Sequence, residues 1–231
     1  RGQLIDEKFK WFLEDWVKDK QYYLATGSPR NKTISQIGMQ LATTSSGGYH
    51  CLGNSIWPAH GHEIETNYIH FTDDEMEHLN AFYSHSKFDQ KANWEEVIDH
   101  RRGSVNYSLC KRGGSMEERA EYMEFDKEYN ERENFVYQLN TTFPRFDCYL
   151  GGACSVDIVL RGANKRQIID LIYEANEDKI YFFCDSFDKY GIDTPLVDTL
   201  EQPFFKDIGE VYKITGGYME TWEILKSLKT E

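Results

Sequence analysis

Between Ser155 and Cys184 the hydrophobic pattern changes period twice, which leaves few folds open to the chain. Ser155-Val156-Asp157-Ile158-Val159-Leu160 reads as a strand, and Asn164 can cap a helix carrying Ile168, Leu171, Ile172 and Ala175. Ile180-Tyr181-Phe182-Phe183-Cys184 is a second strand. Strand, helix and strand in so short a span predict a right-handed β-α-β crossover. Val211 to Ile214 adds a strand, Gly216-Gly217 breaks it, and Tyr218, Trp222, Leu225 and Leu228 line a closing helix.

Upstream, two helix starts are signalled by capping boxes. In Thr72-Asp73-Asp74-Glu75 the threonine and the glutamate satisfy each other's orphan backbone donors, with Phe71 and Met76 placed as a hydrophobic staple. Ser115-Met116-Glu117-Glu118 repeats the pattern after Gly113-Gly114. The helix it opens is predicted to reach Leu139 before Pro144, with Tyr122, Phe125, Tyr129 and Val136 as its apolar stripe. Ile5, Phe9, Phe12, Leu13 and Trp16 predict an amphipathic helix over 3–21. Strands are predicted over 63–71 and 104–110. Thr26-Gly27-Ser28-Pro29-Arg30-Asn31 has turn chemistry, and Thr43 to Gly48 reads as a flexible loop. No Lys-Ser or Lys-Thr follows those glycines, so no P-loop is formed.

The expected fold is α+β: a mixed sheet of about five to seven strands with packed helices, including the C-terminal β-α-β unit. Residues 1–231 are expected to form one domain. Gly113-Gly114 and Gly151-Gly152 are the places where it could divide, though neither is long enough for a linker. Hydrophobic residues at 40% and aromatics at 15% supply a core and exclude a disordered chain. No apolar run approaches the roughly 20 residues of a membrane span. Asp6 and Glu7 stand where a signal peptide needs an apolar stretch, so a cytoplasmic location is expected. Secretion is the alternative if the glycosylation patterns at Asn31, Asn106 and Asn140 are used. Five cysteines, an odd number without a CxxC pair, suggest reduced thiols more than a disulfide framework.

Three constellations invite chemistry. His60-Gly61-His62-Glu63 would put both imidazoles on one side of an extended segment, where they and Glu63 could hold zinc, iron or manganese. Cys51 opens a segment like the nucleophile segment of papain-like proteases, but Gly53 weakens the required helix and the histidines lie at poor distances. Asp185, Asp188, Gly191 and Asp193 crowd the loop after a strong strand, where Mg²⁺ or Ca²⁺ could bind; Asp and Gly also simply make turns.

A net charge of -13 opposes nucleic-acid phosphates, and the basic doublets Arg101-Arg102, Lys111-Arg112 and Lys165-Arg166 are dispersed. With no coherent catalytic set, the leading expectation is an acidic protein-binding module, of the immunity or inhibitor type, that neutralises a basic protein partner. Its binding surface would be Glu117, Glu118, Glu121, Glu124 and Glu128, with Trp11, Trp16 or Trp57 as anchors. The alternative is a metal-dependent enzyme, by hydrolysis or oxygen chemistry, centred on His60, His62 and Glu63.

Overall fold

A computed structural model describes residues 4–59, 62–65, 67–173 and 179–228. The chain starts with α1 (Glu7–Trp16), β1 (Tyr23–Ala25), α2 (Arg30–Ile37), α3 (Met39–Thr43), β2 (Gly47–His50), β3 (Ser55–Pro58) and β4 (Ile64–Glu65). Next come α4 (Asp73–His85), α5 (Trp94–Val97), β5 (Ile98–Arg101), β6 (Ser104–Ser108), α6 (Met116–Tyr129), α7 (Glu131–Thr142), β7 (Phe146–Gly151) and β8 (Ser155–Leu160). The last stretch contains α8 (Gln167–Tyr173), β9 (Ile180–Cys184), α9 (Thr194–Leu200), β10 (Gly209–Lys213) and α10 (Tyr218–Ser227).

The strands form three sheets: β1-β2-β3-β4, the pair β10-β9, and an antiparallel β5-β6-β8-β7. The mixed architecture with packed helices and a C-terminal β-α-β unit is as expected, but the single mixed sheet of about five to seven strands is replaced, among the described residues, by ten strands in three sheets. The unit lies one element further along than its sequence pattern suggests. β9 pairs in parallel with β10 around α9, whereas β8 belongs to the antiparallel sheet. Helix α8 therefore leads from one sheet to another. Its Ile168 and Ile172 pack on Tyr23, Ala25 and Tyr49, and its Ile169 packs on Leu196 and Leu200 of α9. Ile180 of β9 touches both clusters, so the two sheets that contain parallel pairs lie side by side beneath α8.

Both capping boxes form, with Thr72 and Glu75 starting α4 and Ser115 and Glu118 starting α6. The long helix expected up to Leu139 is broken at Asn130, which adopts a left-handed conformation with φ of 51°. Asparagine tolerates that conformation better than most residues. The Asp126 carboxylate stabilises the corner by accepting from Arg132 N and Nε, both at 2.8 Å. The stretch from Thr43 to Gly48 is also not a simple loop, because Gly47 and Gly48 enter β2. A Cβ on Gly48 would come within 2.7 Å of His50 Nε2, so this strand position requires glycine's missing side chain. The strand expected over 63–71 is reduced to β4 and an isolated bridge from Tyr68 to Arg102.

The largest apolar core lies between the antiparallel sheet and α4, α6 and α7, where Leu79, Val105, Tyr107, Tyr122, Phe135 and Ile158 are fully buried. The sheet's other face looks across at the ends of β1 and β9. Two ties hold it there. Leu150 N donates to Tyr190 O at 2.7 Å, and Arg101 Nη1 donates to Gly27 O at 3.3 Å.

Candidate functional site

A cleft of about 910 Å³ separates the antiparallel sheet from the carboxyl ends of β1 and β9. Strand ends of this kind are the usual ligand position in open α/β sheets. The loop after β1 contributes Thr26 to Pro29, and Lys32 follows from the first turn of α2. The loop after β9 contributes Asp185 and Asp193. From the sheet come Asp99 and Arg101 of β5, Asn106 and Ser108 of β6, and Ser155 and Asp157 of β8. Lys111 and Arg112 reach in from the segment after β6, and Arg119 from the start of α6.

Six cations thus line the cleft, namely Lys32, Arg101, Lys111, Arg112, Arg119 and Lys165, against four carboxylates. Three of the cations are fixed by the protein. Arg112 donates from Nε to Glu96 O at 2.9 Å and from Nη2 to Val97 O and Asn106 O at 3.0 and 2.8 Å. Arg101 Nε donates to Asp99 Oδ2 at 2.8 Å. Lys165 Nζ donates to Asp193 Oδ1 at 2.5 Å and to Ala25 O at 3.3 Å, joining the two parallel strand ends. Among the described residues, the side chains of Lys32, Lys111 and Arg119 make no hydrogen bond or ion pair with the protein.

The electrostatics record this crowding. Burial in the cleft holds Lys32 below the ordinary lysine value, and the Arg101, Arg119 and Arg112 guanidiniums add to the shift. Burial also lowers the pKa of Arg112, with Arg101 contributing. Asp157 is, with Asp193, one of the cleft's two buried acids. Burial raises its pKa despite the opposing pull of Arg101, Asn106, Lys32 and Lys165. Its Oδ1 accepts from Asn106 Nδ2 at 2.7 Å and lies 3.7 Å from Arg101 Nη1. Two glycines make room for this arrangement. A Cβ on Gly151 would collide with the Asp157 carboxylate, and one on Gly191 with the Ser186 carbonyl. Gly151 is thus a close-approach position on β7.

Such a cleft can take a multiply charged anion on the uncommitted cations, with amide, hydroxyl and carboxylate groups for a ligand's own hydroxyls. Asp185 and Asp193 are the carboxylates where a hard cation shared with a bound phosphate would find oxygen ligands. Among the described residues, no group of three or more His, Cys, Asp or Glu is arranged to hold a metal ion.

Of the acids singled out by sequence in the loop after β9, Asp185 and Asp193 line the cleft. His60 is outside the described residues. His62 is exposed, and Glu63 accepts a hydrogen bond from Ser55 Oγ; neither lines the cleft. Glu117, Glu121, Glu124 and Glu128 are exposed on α6, while Glu118 is held by its capping box. Trp11 is exposed on α1. Trp16 Nε1 donates to Leu225 O at 3.2 Å, and the Trp57 ring lies 3.9 Å under the Arg30 guanidinium. The dispersed basic doublets prove to be the missed signal. Arg101, Lys111-Arg112 and Lys165 are far apart in sequence but line one cleft.

Comparison with known proteins gives this cleft a context. The family model described as eukaryotic phosphomannomutase matches residues 17–201. The phosphomannomutase of Arabidopsis thaliana is 26% identical over 196 residues, covering 81% of this chain and 79% of that protein. Phosphomannomutase 1 of Homo sapiens is 36% identical over 100 residues, which is 42% of this chain and 37% of that protein. Among solved structures, a trehalose-6-phosphate phosphatase related protein aligns with a TM-score of 0.52 at 15% identity, covering 97% of this chain and 87% of that one. The sucrose-phosphatase of Synechocystis sp. PCC6803, in complex with sucrose and phosphate, aligns with a TM-score of 0.53 at 14% identity, covering 96% and 93%. These structural likenesses establish the fold.

The family match overturns the expectation of an immunity or inhibitor protein with a basic protein partner. The physical reason is charge placement. The net charge of -13 describes the whole chain, while the cleft concentrates the opposite sign. Average composition could not reveal that separation.

Proposed function

This chain belongs to the eukaryotic phosphomannomutase family, and we propose that its cationic cleft takes up a phosphorylated hexose as the substrate of phosphate-group chemistry. The name of the relatives, phosphomannomutase, points to a phosphomannose. One observation carries the reading: six cations line one cleft of an acidic chain, and three of them, Lys32, Lys111 and Arg119, have no side-chain hydrogen bond or ion pair among the described residues. Holding cations in a cleft is unfavourable until an anion arrives: burial lowers the pKa of Lys32 and Arg112, and neighbouring guanidiniums add to the shift. A phosphate dianion would relieve that repulsion through charge-assisted hydrogen bonds to Arg119 and Lys32.

The remaining groups suit the sugar. Asn106, Ser108 and Ser155 offer short donors and acceptors, and Asp157 a buried acceptor, for ring hydroxyls. Arg101 and Arg112, fixed by their own hydrogen bonds, orient this polar face and add to the positive field.

Calorimetric titration of the purified chain with mannose 1-phosphate, mannose 6-phosphate and mannose tests the proposal. Either phosphate should bind at least about tenfold more tightly than mannose, with affinity falling as salt rises. Equal binding of all three, or binding of none, would overturn it.

A cytoplasmic location fits the same reading. Among the described residues no helix is long and apolar enough to cross a membrane, and all five cysteines are free. Two of the glycosylation patterns are already committed: Asn106 Nδ2 donates to Asp157, and the Asn140 amide exchanges hydrogen bonds with the Cys148 backbone.

A further inference from the structure

Cys110 and Cys154 are separate events in the sequence but neighbours in the cleft wall. Strands β6 and β8 pair with Ser108 opposite Ser155, which brings the residue after Leu109 close to the one before Ser155. Ser108 Oγ sits 3.3 Å from the Cys110 carbonyl and 3.0 Å from the Cys154 carbonyl, pinning the two backbones to one hydroxyl. The two side chains interact electrostatically, the Cys110 thiol favouring the Cys154 thiolate, and both residues line the cleft. Cys154 Sγ also lies 3.7 Å from the Arg119 carbonyl.

We propose that Cys110 and Cys154 are a peroxide-responsive thiol pair that closes to an intramolecular disulfide in the wall of the cleft. The proposal stands on this juxtaposition and is independent of what the cleft binds.

In the reaction, the Cys154 thiolate attacks one oxygen of hydrogen peroxide. The O–O bond breaks, and the departing hydroxide takes up a proton to leave as water. Cys154 is then a sulfenic acid. The Cys110 sulfur attacks the Cys154 sulfur, the S–O bond breaks, and a second water leaves with the Cys110 proton. Two thiols have lost two electrons, and the peroxide has become two waters. A dithiol reductant reverses the bond by exchange.

Selectivity within the chain follows from the surroundings. The influence of the Cys110 thiol, together with the charges of Arg132 and Arg119, lowers the Cys154 pKa against the effect of burial. Burial instead pushes Cys51 up to about 11 and Cys184 up to about 12, and also raises Cys148. Thiolates are the reactive form, so the other three thiols should react later.

The test treats the reduced 231-residue chain with hydrogen peroxide, alkylates the remaining thiols, and maps the peptides by mass. The expected result is three alkylated cysteines instead of five, and one cross-linked pair joining Cys110 to Cys154 that dithiothreitol releases. The Cys154→Ser chain, given the same dose, should keep all four of its thiols. The proposal is overturned if wild type retains five thiols, if the cross-link joins another pair, or if Cys154 oxidises further while Cys110 stays alkylatable. Thiol loss in Cys154→Ser at the wild-type rate would also overturn it.

Discussion

Strands β6 and β8 present two opposite surfaces made from alternate residues of the same eleven positions. On one side Val105, Tyr107, Val156 and Ile158 close against α4 and α7 as a dry core. On the other, Asn106, Ser108, Ser155 and Asp157 line the cleft. Alternation of this kind normally separates core from solvent. Here Asn106 is only 6% exposed and Asp157 only 4%, because the rest of the chain covers the polar side. A buried polar sheet face costs desolvation, so its groups must be paired with each other or with a ligand. The comparison teaches that one surface holds the fold together and the other is built to receive something.

Truncating the dry side should produce the largest effect. Phe135 stacks on Phe82 with ring centroids 3.8 Å apart and lies 4.7 Å from Tyr107. Phe135→Ala should remove about 3–5 kcal/mol of stability, read by urea denaturation. The folded fraction should still bind mannose phosphate as tightly as wild type. A matching loss of affinity in the folded fraction would show that the two faces are not separable.

The reverse substitution addresses the cleft. Arg119 is half-buried at the start of α6 and holds no protein partner among the described residues, so its loss should leave stability within about 0.5 kcal/mol. Mannose phosphate affinity should fall by about 1.5–3 kcal/mol, the worth of a hydrogen bond to a charged group, or roughly 10- to 150-fold. Unchanged affinity in Arg119→Ala, measured by the same titration, would remove this residue from the phosphate site.

The two faces also differ in how far the sequence discloses them. Apolar alternation in Ser104 to Ser108 and Ser155 to Leu160 identifies both strands, since burying a period-two stripe is a local requirement. Both capping boxes were readable for the same reason: their partners lie three residues apart. The sheet to which β8 belongs was not readable, because strand pairing depends on contacts distant along the chain. The site was obscured further. Arg101, Arg112 and Lys165 seemed dispersed, and Thr26 to Pro29 read as an ordinary turn, because a cleft's charge is a property of convergence. One local clue existed: the polar positions of β6 and β8 are Ser, Asn and Asp, without the Lys, Glu and Thr common on a solvated strand face.

The smallest expected effect concerns the buried carboxylate that belongs to the polar side. Burial raises the Asp157 pKa in the folded chain above its unfolded value, even with Arg101, Lys32 and Lys165 nearby. Between those two values the folded state holds the proton more tightly than the unfolded state. Asp157 therefore contributes stability that is full below the unfolded pKa and is lost as pH rises through the folded one. Asp157→Asn keeps an oxygen for Asn106 and removes the titration. Relative to the variant, wild type should lose about 1.4 kcal/mol for each unit by which its pKa is raised. Paired urea denaturation across the carboxylate range measures this, and ionisations common to both chains cancel in the difference. A wild-type advantage that grows with pH would mean that the surrounding cations outweigh burial, and that the polar face holds Asp157 as a salt-bridged anion.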